Sequence, residues 1–337
     1  MTTFFLNRLA TEPHALAFAG QSTPWPVALA DQTTDPSLDE ALCGHVAAAG
    51  RLLTPVAADL LATTGRPVDL FGFAPNPARL GAAADATASV EGVALTQLGA
   101  LLDLEHLGYS VAQAKPLAVL GHSQGVLAVH MTRAIEAAGS IEAAGKTLNE
   151  ILAVAALIGA AGTRRVRELG LNPKYGEASP MLSVKGATRE QVEALVARVN
   201  NARGPISIAV TNSDNHHVLS GYPEDLAAFA LEAEREHQHQ AKLREQKLHG
   251  GTVFNPTLEY LEVTLPFHSP LMADAVEQTV AWAGACGFDQ KRTRALAEEV
   301  LLNHVDWNVR VKALFGRRPT RPSCGSWTSA PATRSAS

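Results

Sequence analysis

A short stretch near the middle of the chain constrains the fold more than any other. Residues 116–130 read Pro-Leu-Ala-Val-Leu-Gly-His-Ser-Gln-Gly-Val-Leu-Ala-Val-His. An apolar run ends at Leu120, the motif Gly-His-Ser-Gln-Gly occupies 121–125, and a second apolar run with helical spacing begins at Val126. This pattern predicts a buried strand, a tight turn and a helix, with Ser123 at the turn.

A serine at such a turn is a candidate nucleophile. The turn holds the hydroxyl of Ser123 above the carboxyl end of the strand and directs the backbone N–H of Gln124 to the place where an oxyanion would form. Gly121 and Gly125 fit this geometry because the strained turn leaves no room for a Cβ and a helix packs close behind it. The alternative is an ordinary loop serine, since bare G-x-S-x-G patterns arise by chance.

A serine hydroxyl needs a base to take its proton. Of the twelve histidines in the chain, His122 is expected to hold the turn by hydrogen bonds rather than to act as the base. His268 stands in Leu-Pro-Phe-His-Ser-Pro-Leu-Met (265–272), where a predicted insertion returns the chain to the larger domain. An insertion can present a residue over a cleft at such a place, so His268 is the candidate base. A histidine with satisfied hydrogen bonds between two domains is the alternative.

The order of predicted elements indicates an α/β fold. Up to Gly170, strands alternate with helices, which predicts a mostly parallel sheet covered on both faces. Residues 180–265 read β-α-β-β-α-β, the order of a ferredoxin-like subdomain. We therefore predict a large parallel-sheet domain resembling an α/β-hydrolase core, interrupted by a ferredoxin-like (βαββαβ) subdomain. The predicted ranges are 1–178 with 263–315 for the large domain, 179–262 for the insertion and 316–337 for an irregular tail.

Composition and charge exclude several classes of protein. A net charge of −5 argues against a nucleic-acid binder, which would carry a basic face. The three cysteines have neither pairing nor metal spacing, which predicts a reducing, cytoplasmic compartment. No segment reaches the roughly 18 uninterrupted apolar residues of a membrane span. The most apolar one, Ile151–Gly162, predicts a buried helix instead, and the N-terminus does not read as a signal peptide.

Three segments of the chain resemble the site segments of the acyl-CoA:acyl-carrier-protein transacylases. They are Phe-Ala-Gly-Gln at 18–21, the motif at 121–125, and Pro-Phe-His-Ser-Pro at 266–270. The chain resembles in particular the acetyltransferase domain of the type I fatty acid synthases of actinobacteria and fungi, from about residue 14 to 315. Further matching segments are Leu157–Gly162, Arg244–Phe254 and Val305–Trp307.

The resemblance implies a Ser-His dyad and ping-pong kinetics. Ser123 would attack the thioester of acetyl-CoA, and His268 would carry the proton. The acyl group would then pass to the phosphopantetheine thiol of an acyl carrier protein. The backbone amides of Gln21 and Gln124 would hold the oxyanion, and a backbone carbonyl within Val300–Asn303 would orient the imidazole. Other domains of a multifunctional synthase are the further implied partners, and no permanently bound cofactor is implied.

The residue at one position of the sequence suggests which acyl group is transferred. Malonyl-transferring relatives carry an arginine just before a glycine on the helix two elements after the serine, and here Ile158 precedes Gly159. A malonyl carboxylate without its charged partner would cost on the order of 1.5–3 kcal/mol or more. The resemblance therefore favours acetyl, with Ile158 and Phe267 lining the acyl pocket. A malonyl or other acyl transacylase of the same family remains the alternative.

Five cationic side chains are candidates for contacts with CoA or the acidic carrier protein. Arg164 and Arg165 follow Ile158 by about two turns, where solvent or a CoA phosphate would meet them. Lys242, Arg244 and Lys247 stand near the end of a long charged helix. A solvated helix face is the alternative interpretation of these last three.

The tail departs from the family, whose chain continues after Val305–Trp307 to a strand and a Leu-Gly-Pro-Gly loop. GC-rich codons for Gly325–Thr333, read two bases later, can encode Ile-Leu-Asp-Leu-Gly-Pro-Gly-Asp. We therefore expect that the chain from about residue 316 is a frameshift product of a longer reading frame.

Two other functions fit part of the pattern. A serine esterase or thioesterase of the α/β-hydrolase type would share the turn at Ser123, with water as the acceptor. It would also have an aspartate after a later strand and a histidine near its C-terminus. A non-catalytic docking module of a synthase would keep all its properties when Ser123 is replaced by alanine.

Overall fold

The structure is a computed structural model that describes residues 8–9, 12–20, 24–65, 86–171, 179–200, 206–248 and 253–316. Gln21, residues 66–85 of the Gly/Pro-rich loop that the sequence predicts over 65–87, and the tail from 317 to 337 lie outside the described residues.

The first sheet consists of two parallel strands, β1 (Ala15–Phe18) and β2 (Ala118–Gly121), in a register that sets Phe18 beside Gly121. The helices that precede and follow β2 are α1 (Trp25–Gln32), α2 (Pro36–Leu52), α3 (Ala57–Thr64), α4 (Ala86–His106), α5 (Val126–Ala138) and α6 (Ile141–Glu168). The α/β class is confirmed. The predicted large parallel sheet is wrong for the described residues, because most apolar segments here follow helical periodicity and become helices.

Helix α6 forms the centre of the first core. It begins at Ser140, whose side chain accepts a hydrogen bond from the backbone N–H of Ala143. Its apolar stretch from 151 to 162 is buried throughout, and α4 and α5 pack along it. By length and composition α6 could cross a membrane, but 67% of its most apolar window is buried inside the protein. The packing therefore agrees with the prediction of a buried helix at 151–162 and not with a membrane span.

The second sheet has five strands in the order β6-β3-β5-β4-β7. Its first elements along the chain are β3 (Met181–Lys185), α7 (Arg189–Val199), β4 (Ser207–Ser213), β5 (His216–Ser220), α8 (Pro223–Glu245) and β6 (Thr257–Tyr260). The pairs β3–β5, β3–β6 and β4–β5 are antiparallel. This segment thus has the β-α-β-β-α-β order of elements and a core of its own around Phe229.

Two details of this segment differ from the prediction. The sequence pattern predicts a long helix from Pro223 to roughly Leu248 and a last strand at 259–265. In the structure the helix ends at Glu245 and the last strand of the segment lies at Thr257–Tyr260. Pairing decides the second difference, because the ladder with β3 runs from Lys185 opposite Thr257 to Leu182 opposite Tyr260.

The C-terminal segment returns to the first core and then reaches the second sheet. It comprises a 3₁₀ turn at Pro270–Met272, α9 (Ala273–Ala285), α10 (Gln290–Leu301), β7 (Val305–Asp306) and α11 (Trp307–Gly316). Strand β7 pairs in parallel with β4. The second sheet therefore takes a strand from outside the predicted insertion, and α11 begins directly after that strand.

Candidate active site

The turn at 121–125, called the elbow below, is built on two glycines that have no room for a side chain. A Cβ at Gly121 would lie 2.4 Å from the carbonyl carbon of Gly125, and a Cβ at Gly125 would lie 2.2 Å from the carbonyl oxygen of Phe18. Ser123 between them has a φ of +51°, in the left-handed region that non-glycine residues rarely adopt. Such strain persists only where the surroundings enforce it, and it is common at active sites.

The structure brings Ser123 and His268 together. The Oγ of Ser123 lies 2.8 Å from the Nε2 of His268, within hydrogen-bond distance. The other ring nitrogen, Nδ1, lies 2.8 Å from the backbone carbonyl oxygen of Asn303. A carbonyl oxygen can only accept, so Nδ1 carries the hydrogen and Nε2 accepts from the serine hydroxyl. This is the tautomer that a general base for Ser123 requires.

Burial keeps the imidazole of His268 neutral. The residue is 2% exposed, and this burial lowers its pKa to about 4. The carbonyl of Asn303 acts in the opposite direction, while positive charge on His122, His304 and Arg310 would lower the pKa further. A strongly shifted pKa beside a strained serine is typical of a catalytic site.

The loop that carries His268 is fixed by the end of α10. The backbone N–H of Ser269 donates to the carbonyl of Leu301 at 3.1 Å, two residues before Asn303. His268 itself has a φ of +56°. The resemblance limited the orienting carbonyl to Val300–Asn303, and the structure places the carbonyl of Asn303 at the ring.

His122 binds both within the elbow and outside it. Its backbone carbonyl accepts from the N–H of Gly125 at 2.9 Å, inside the turn. Its Nε2 lies 2.8 Å from the side-chain oxygen of Asn212 on β4, and its ring meets the ring of Trp307 edge-on at 5.3 Å between centroids. Burial lowers the pKa of His122, and the nearby Arg310 lowers it further. The hydrogen bonds of His122 thus support the turn itself and join it to the second sheet.

The backbone before Gln21 lies directly against the elbow. A Cβ at Gly20 would lie 3.2 Å from the backbone nitrogen of Gln124 and 2.8 Å from the carbonyl oxygen of His122. The amide of Gln21 lies outside the described residues, so its predicted role in the oxyanion hole stays a prediction. The neighbouring Ala19 is held by Gln97, whose Nε2 donates to the Ala19 carbonyl at 2.7 Å.

The predicted acyl-pocket residues are both buried. Ile158 is fully buried in α6, and Phe267, 2% exposed, belongs to the same core cluster. The ring of Phe267 lies 6.4 Å from the ring of His268 between centroids. The described residues include no contact that joins Ile158 to Ser123, so its place in a pocket stays a prediction.

The two arginines after Ile158 bind other groups of this chain. Arg164 pairs with Glu168 and donates to the side chain of Gln278, both at 2.9 Å. Arg165 donates to the carbonyl of Leu271 at 2.9 Å and pairs with Asp274 at 2.9 Å. Both guanidinium groups therefore bind elements of the C-terminal segment.

The other predicted cations lie away from the elbow. Lys242, Arg244 and Lys247 are exposed at the end of α8 and just after it. Among the described residues, none of the three donates a hydrogen bond to the elbow or to the loop of His268. Their predicted contact with CoA or a carrier protein is untested.

Sequence reasoning missed two residues that contact the site. One is Gln97, one of several buried polar side chains of α4, which binds the Ala19 carbonyl beside Gly20. The other is Arg310 on α11, whose guanidinium donates to the carbonyl oxygen of Gly121 at 3.0 Å. A glutamine on the mostly apolar helix α4 was a signal in the sequence. For Arg310 the sequence gives only its place, one turn after Trp307.

Comparison with known proteins finds similarity to fatty acid synthases. A family model described as the fatty acid synthase central AT domain matches residues 180–260. The fatty acid synthase beta subunit TOXC of Cochliobolus carbonum is 29% identical over 163 residues, 44% of this chain and 8% of that subunit. Fatty acid synthase 2 of Mycosarcoma maydis is 32% identical over 170 residues, 47% of this chain and 4% of that protein. Over these residues the chain is similar to the acyltransferase domains of fatty acid synthases.

Solved structures show the same fold over most of this chain. A malonyl-transacylase in complex with a type II polyketide acyl carrier protein has a TM-score of 0.58 at 16% identity, covering 91% of this chain and 86% of that one. The malonyl CoA-acyl carrier protein transacylase of Coxiella burnetii scores 0.57 at 17% identity, with 91% and 84% covered. At this identity the likeness concerns the fold alone. The chain also spans less than a tenth of the length of the two synthase proteins above.

Proposed function

We propose that this chain is an acyltransferase that moves an acetyl group from CoA to the phosphopantetheine thiol of an acyl carrier protein. The observation that carries the proposal is the line of hydrogen bonds from Ser123 through His268 to the carbonyl of Asn303. Because Nδ1 of His268 donates to the carbonyl of Asn303, Nε2 is free to accept the proton of the Ser123 hydroxyl. Because Ser123 is partly exposed at the elbow, a thioester can approach its hydroxyl.

The first half-reaction forms an acyl-serine. Nε2 of His268 takes the hydroxyl proton while the Oγ of Ser123 forms a bond to the thioester carbon, and the carbonyl oxygen becomes an oxyanion. The backbone N–H of Gln124, the residue after the nucleophile, is the first proposed donor that stabilises that charge, and the amide of Gln21 is the second. When the C–S bond breaks, the imidazolium returns the proton to the CoA thiolate, which leaves as free CoA.

The second half-reaction runs the same steps with a new thiol. The phosphopantetheine thiol gives its proton to Nε2 of His268 and its sulfur attacks the ester carbon. Collapse of the oxyanion breaks the bond to the Oγ of Ser123, and the imidazolium returns the proton to that oxygen. Only Ser123, His268 and backbone dipoles take part, so the proposed reaction uses no resident cofactor.

The acceptor is proposed to be a carrier-protein thiol because of the relatives. The synthases that match the chain build fatty acids, and one structural neighbour was solved with an acyl carrier protein bound. For this chain the acceptor is a proposal, as is its place in fatty acid synthesis within a multifunctional synthase.

The proposal of acetyl over malonyl rests on the surroundings of Ile158. This apolar side chain, fully buried, stands where malonyl-transferring relatives are expected to carry an arginine. The next arginines along α6, Arg164 and Arg165, already pair with Glu168 and Asp274. A charged acyl group would therefore lose its solvation without gaining a cation, at a cost of roughly 1.5–3 kcal/mol or more. We expect acetyl to be preferred at least tenfold over malonyl.

Mass spectrometry of the intact chain tests both parts of this proposal. The chain is mixed with equal concentrations of acetyl-CoA and malonyl-CoA, and the adduct on the peptide containing Ser123 is identified. An acetyl adduct that is stable in buffer and released by pantetheine or holo carrier protein is the expected result. A malonyl adduct would overturn the acetyl preference, and rapid loss of the adduct to water would indicate a hydrolase. No adduct in the wild-type chain would overturn the acyltransferase proposal itself.

A further inference from the structure

Helix α11 lies between the elbow and the second sheet. The side chains of Asn308 and Lys312 bind Asp214, in the turn between β4 and β5, at 2.7 Å each. Arg310, between them in sequence, donates instead to the carbonyl oxygen of Gly121 at 3.0 Å. One short helix thus contacts both the second sheet and the peptide that opens the elbow.

The carbonyl that Arg310 holds belongs to the peptide bond between Gly121 and His122. Fixing this carbonyl sets the plane of that peptide, which lies one peptide bond before the one that leads into the strained Ser123. A hydrogen bond from a guanidinium is charge-assisted and stronger than one between neutral groups. A residue with positive φ needs neighbours that hold it there, and the bond from Arg310 is one of them.

The same guanidinium lies close enough to the two histidines of the site to influence their charge. It lowers the pKa of both His122 and His268. Burial is the largest cause of the lowered pKa of His268, and His122, His304 and Arg310 are the cationic groups that lower it further. The Ser123 hydroxyl and the carbonyl of Asn303 bind the two nitrogens of its ring.

We propose that Arg310 is a positioning residue for the acyl-transfer step: it holds the Gly121 peptide so that the Ser123 hydroxyl stays aligned with His268. The inference rests on the proposed function, since it assigns Arg310 a part in acylation of Ser123. Arg310 uses one of its five N–H donors on this carbonyl and does not touch the reacting atoms.

A matched control lies two residues away on the same helix. Lys312→Gln and Arg310→Gln each remove one positive charge from α11. Lys312→Gln also removes the ion pair with Asp214, whereas Arg310→Gln removes the hydrogen bond to the Gly121 carbonyl. Lys312 makes no contact with the elbow among the described residues. A general loosening of α11 would therefore affect both variants, whereas loss of elbow alignment would affect only Arg310→Gln.

The test compares wild type, Arg310→Gln, Arg310→Lys and Lys312→Gln in single-turnover acylation of Ser123 by acetyl-CoA between pH 4 and 8. For Arg310→Gln we expect the acylation rate constant to fall about tenfold to a hundredfold, with little change in the concentration of acetyl-CoA giving half-maximal rate. The acid limb of its pH profile should move to higher pH, because a cation near the base is gone. Arg310→Lys should recover part of the rate, and Lys312→Gln should stay within about twofold of wild type.

A second measurement does not depend on activity. The imidazole of His268 is titrated by ¹⁵N NMR in wild type, Arg310→Gln and Lys312→Gln, with thermal unfolding recorded for each. A rise of the His268 pKa in Arg310→Gln alone supports the proposal even if the acyl donor is not acetyl-CoA. Equal rates, pH profiles and imidazole titrations in Arg310→Gln and Lys312→Gln would overturn it. So would a rate loss in Arg310→Gln that only parallels a fall in folded protein, while the titration of His268 stays at its wild-type value.

Discussion

The hydroxyl of Ser123 lies 2.8 Å from Nε2 of His268, although 145 residues separate the two along the chain. Ser123 stands in the turn after strand β2 of the first sheet, and His268 stands on the loop between β6 of the second sheet and α9. The proximity depends on how these two parts of the chain pack together.

Replacing the two reacting side chains should separate their roles. Ser123→Ala should abolish the acetyl adduct, because no other nucleophile stands at the elbow. His268→Gln should slow acylation by about 10²- to 10⁴-fold, the usual contribution of a general base. Rapid-quench mass spectrometry with acetyl-CoA measures both. His130→Gln, which removes a surface imidazole paired with Glu299, is the control and should keep the wild-type rate. Wild-type acylation in His268→Gln would contradict the role assigned to this residue.

Folding stability should depend on pH through His268. Its pKa is about 4 in the folded chain and lies near 6.5 when the chain unfolds. The unfolded state therefore binds more protons between these values, and the free energy of unfolding falls as pH drops from about 6.5 to about 4. The share of His268 amounts to about 3 kcal/mol over that window.

Urea unfolding at several pH values between 4 and 7.5 measures this dependence. His268→Gln should show a flatter profile than wild type, although His122, His216, His217 and His304 also have lowered pKa values and keep part of the slope. A wild-type slope in His268→Gln would mean that the imidazole is not buried in its neutral form.

The elbow glycines should not accept alanine. In Gly121→Ala and Gly125→Ala the added methyl would meet backbone atoms at 2.4 and 2.2 Å, so the backbone must move. We expect a loss of roughly 2 kcal/mol or more in the free energy of unfolding. Gly145→Ala in α6 is the control, because its Cβ would meet nothing within 4 Å. In a helix interior that change should stabilise the chain by about 0.5–1 kcal/mol. Equal stability of all three variants would refute the close packing at the elbow.

The bond from Gln97 to Ala19 should affect the rate more than the stability. Gln97→Leu keeps the buried volume but frees the Ala19 carbonyl, next to Gly20 and the Gln21 amide proposed for the oxyanion hole. We expect acylation to slow about tenfold, since one neutral hydrogen bond is worth about 1 kcal/mol. Gln32→Leu is a matched control, because Gln32 also donates to a backbone carbonyl, that of Thr96 on α4. A similar rate in both variants would mean that the loop before Gln21 does not need Gln97.

Local features of the fold were accessible from the sequence because their causes are local. The two elbow glycines are forced by contacts within a few residues or with a neighbouring strand. Thr188 caps α7 together with Gln191, a pattern visible three residues apart. The end of β6 was not accessible in this way, because its register is set by β3, about seventy residues earlier in the chain.

The sequence by itself determined the strand, turn and helix around Ser123 and the α/β class, and the family resemblance added the segment in which a carbonyl for the imidazole would be found. Tertiary structure alone decided that this carbonyl is that of Asn303 and that the ring of His122 binds Asn212. It also decided that Gln97 reaches the Ala19 carbonyl and that Arg310 reaches the elbow. A glycine or an apolar repeat is required by residues close to it in sequence, so the local structure that it forms can be predicted from the sequence. A polar side chain such as that of Arg310 takes its role from whichever distant backbone atom packing brings within hydrogen-bond distance.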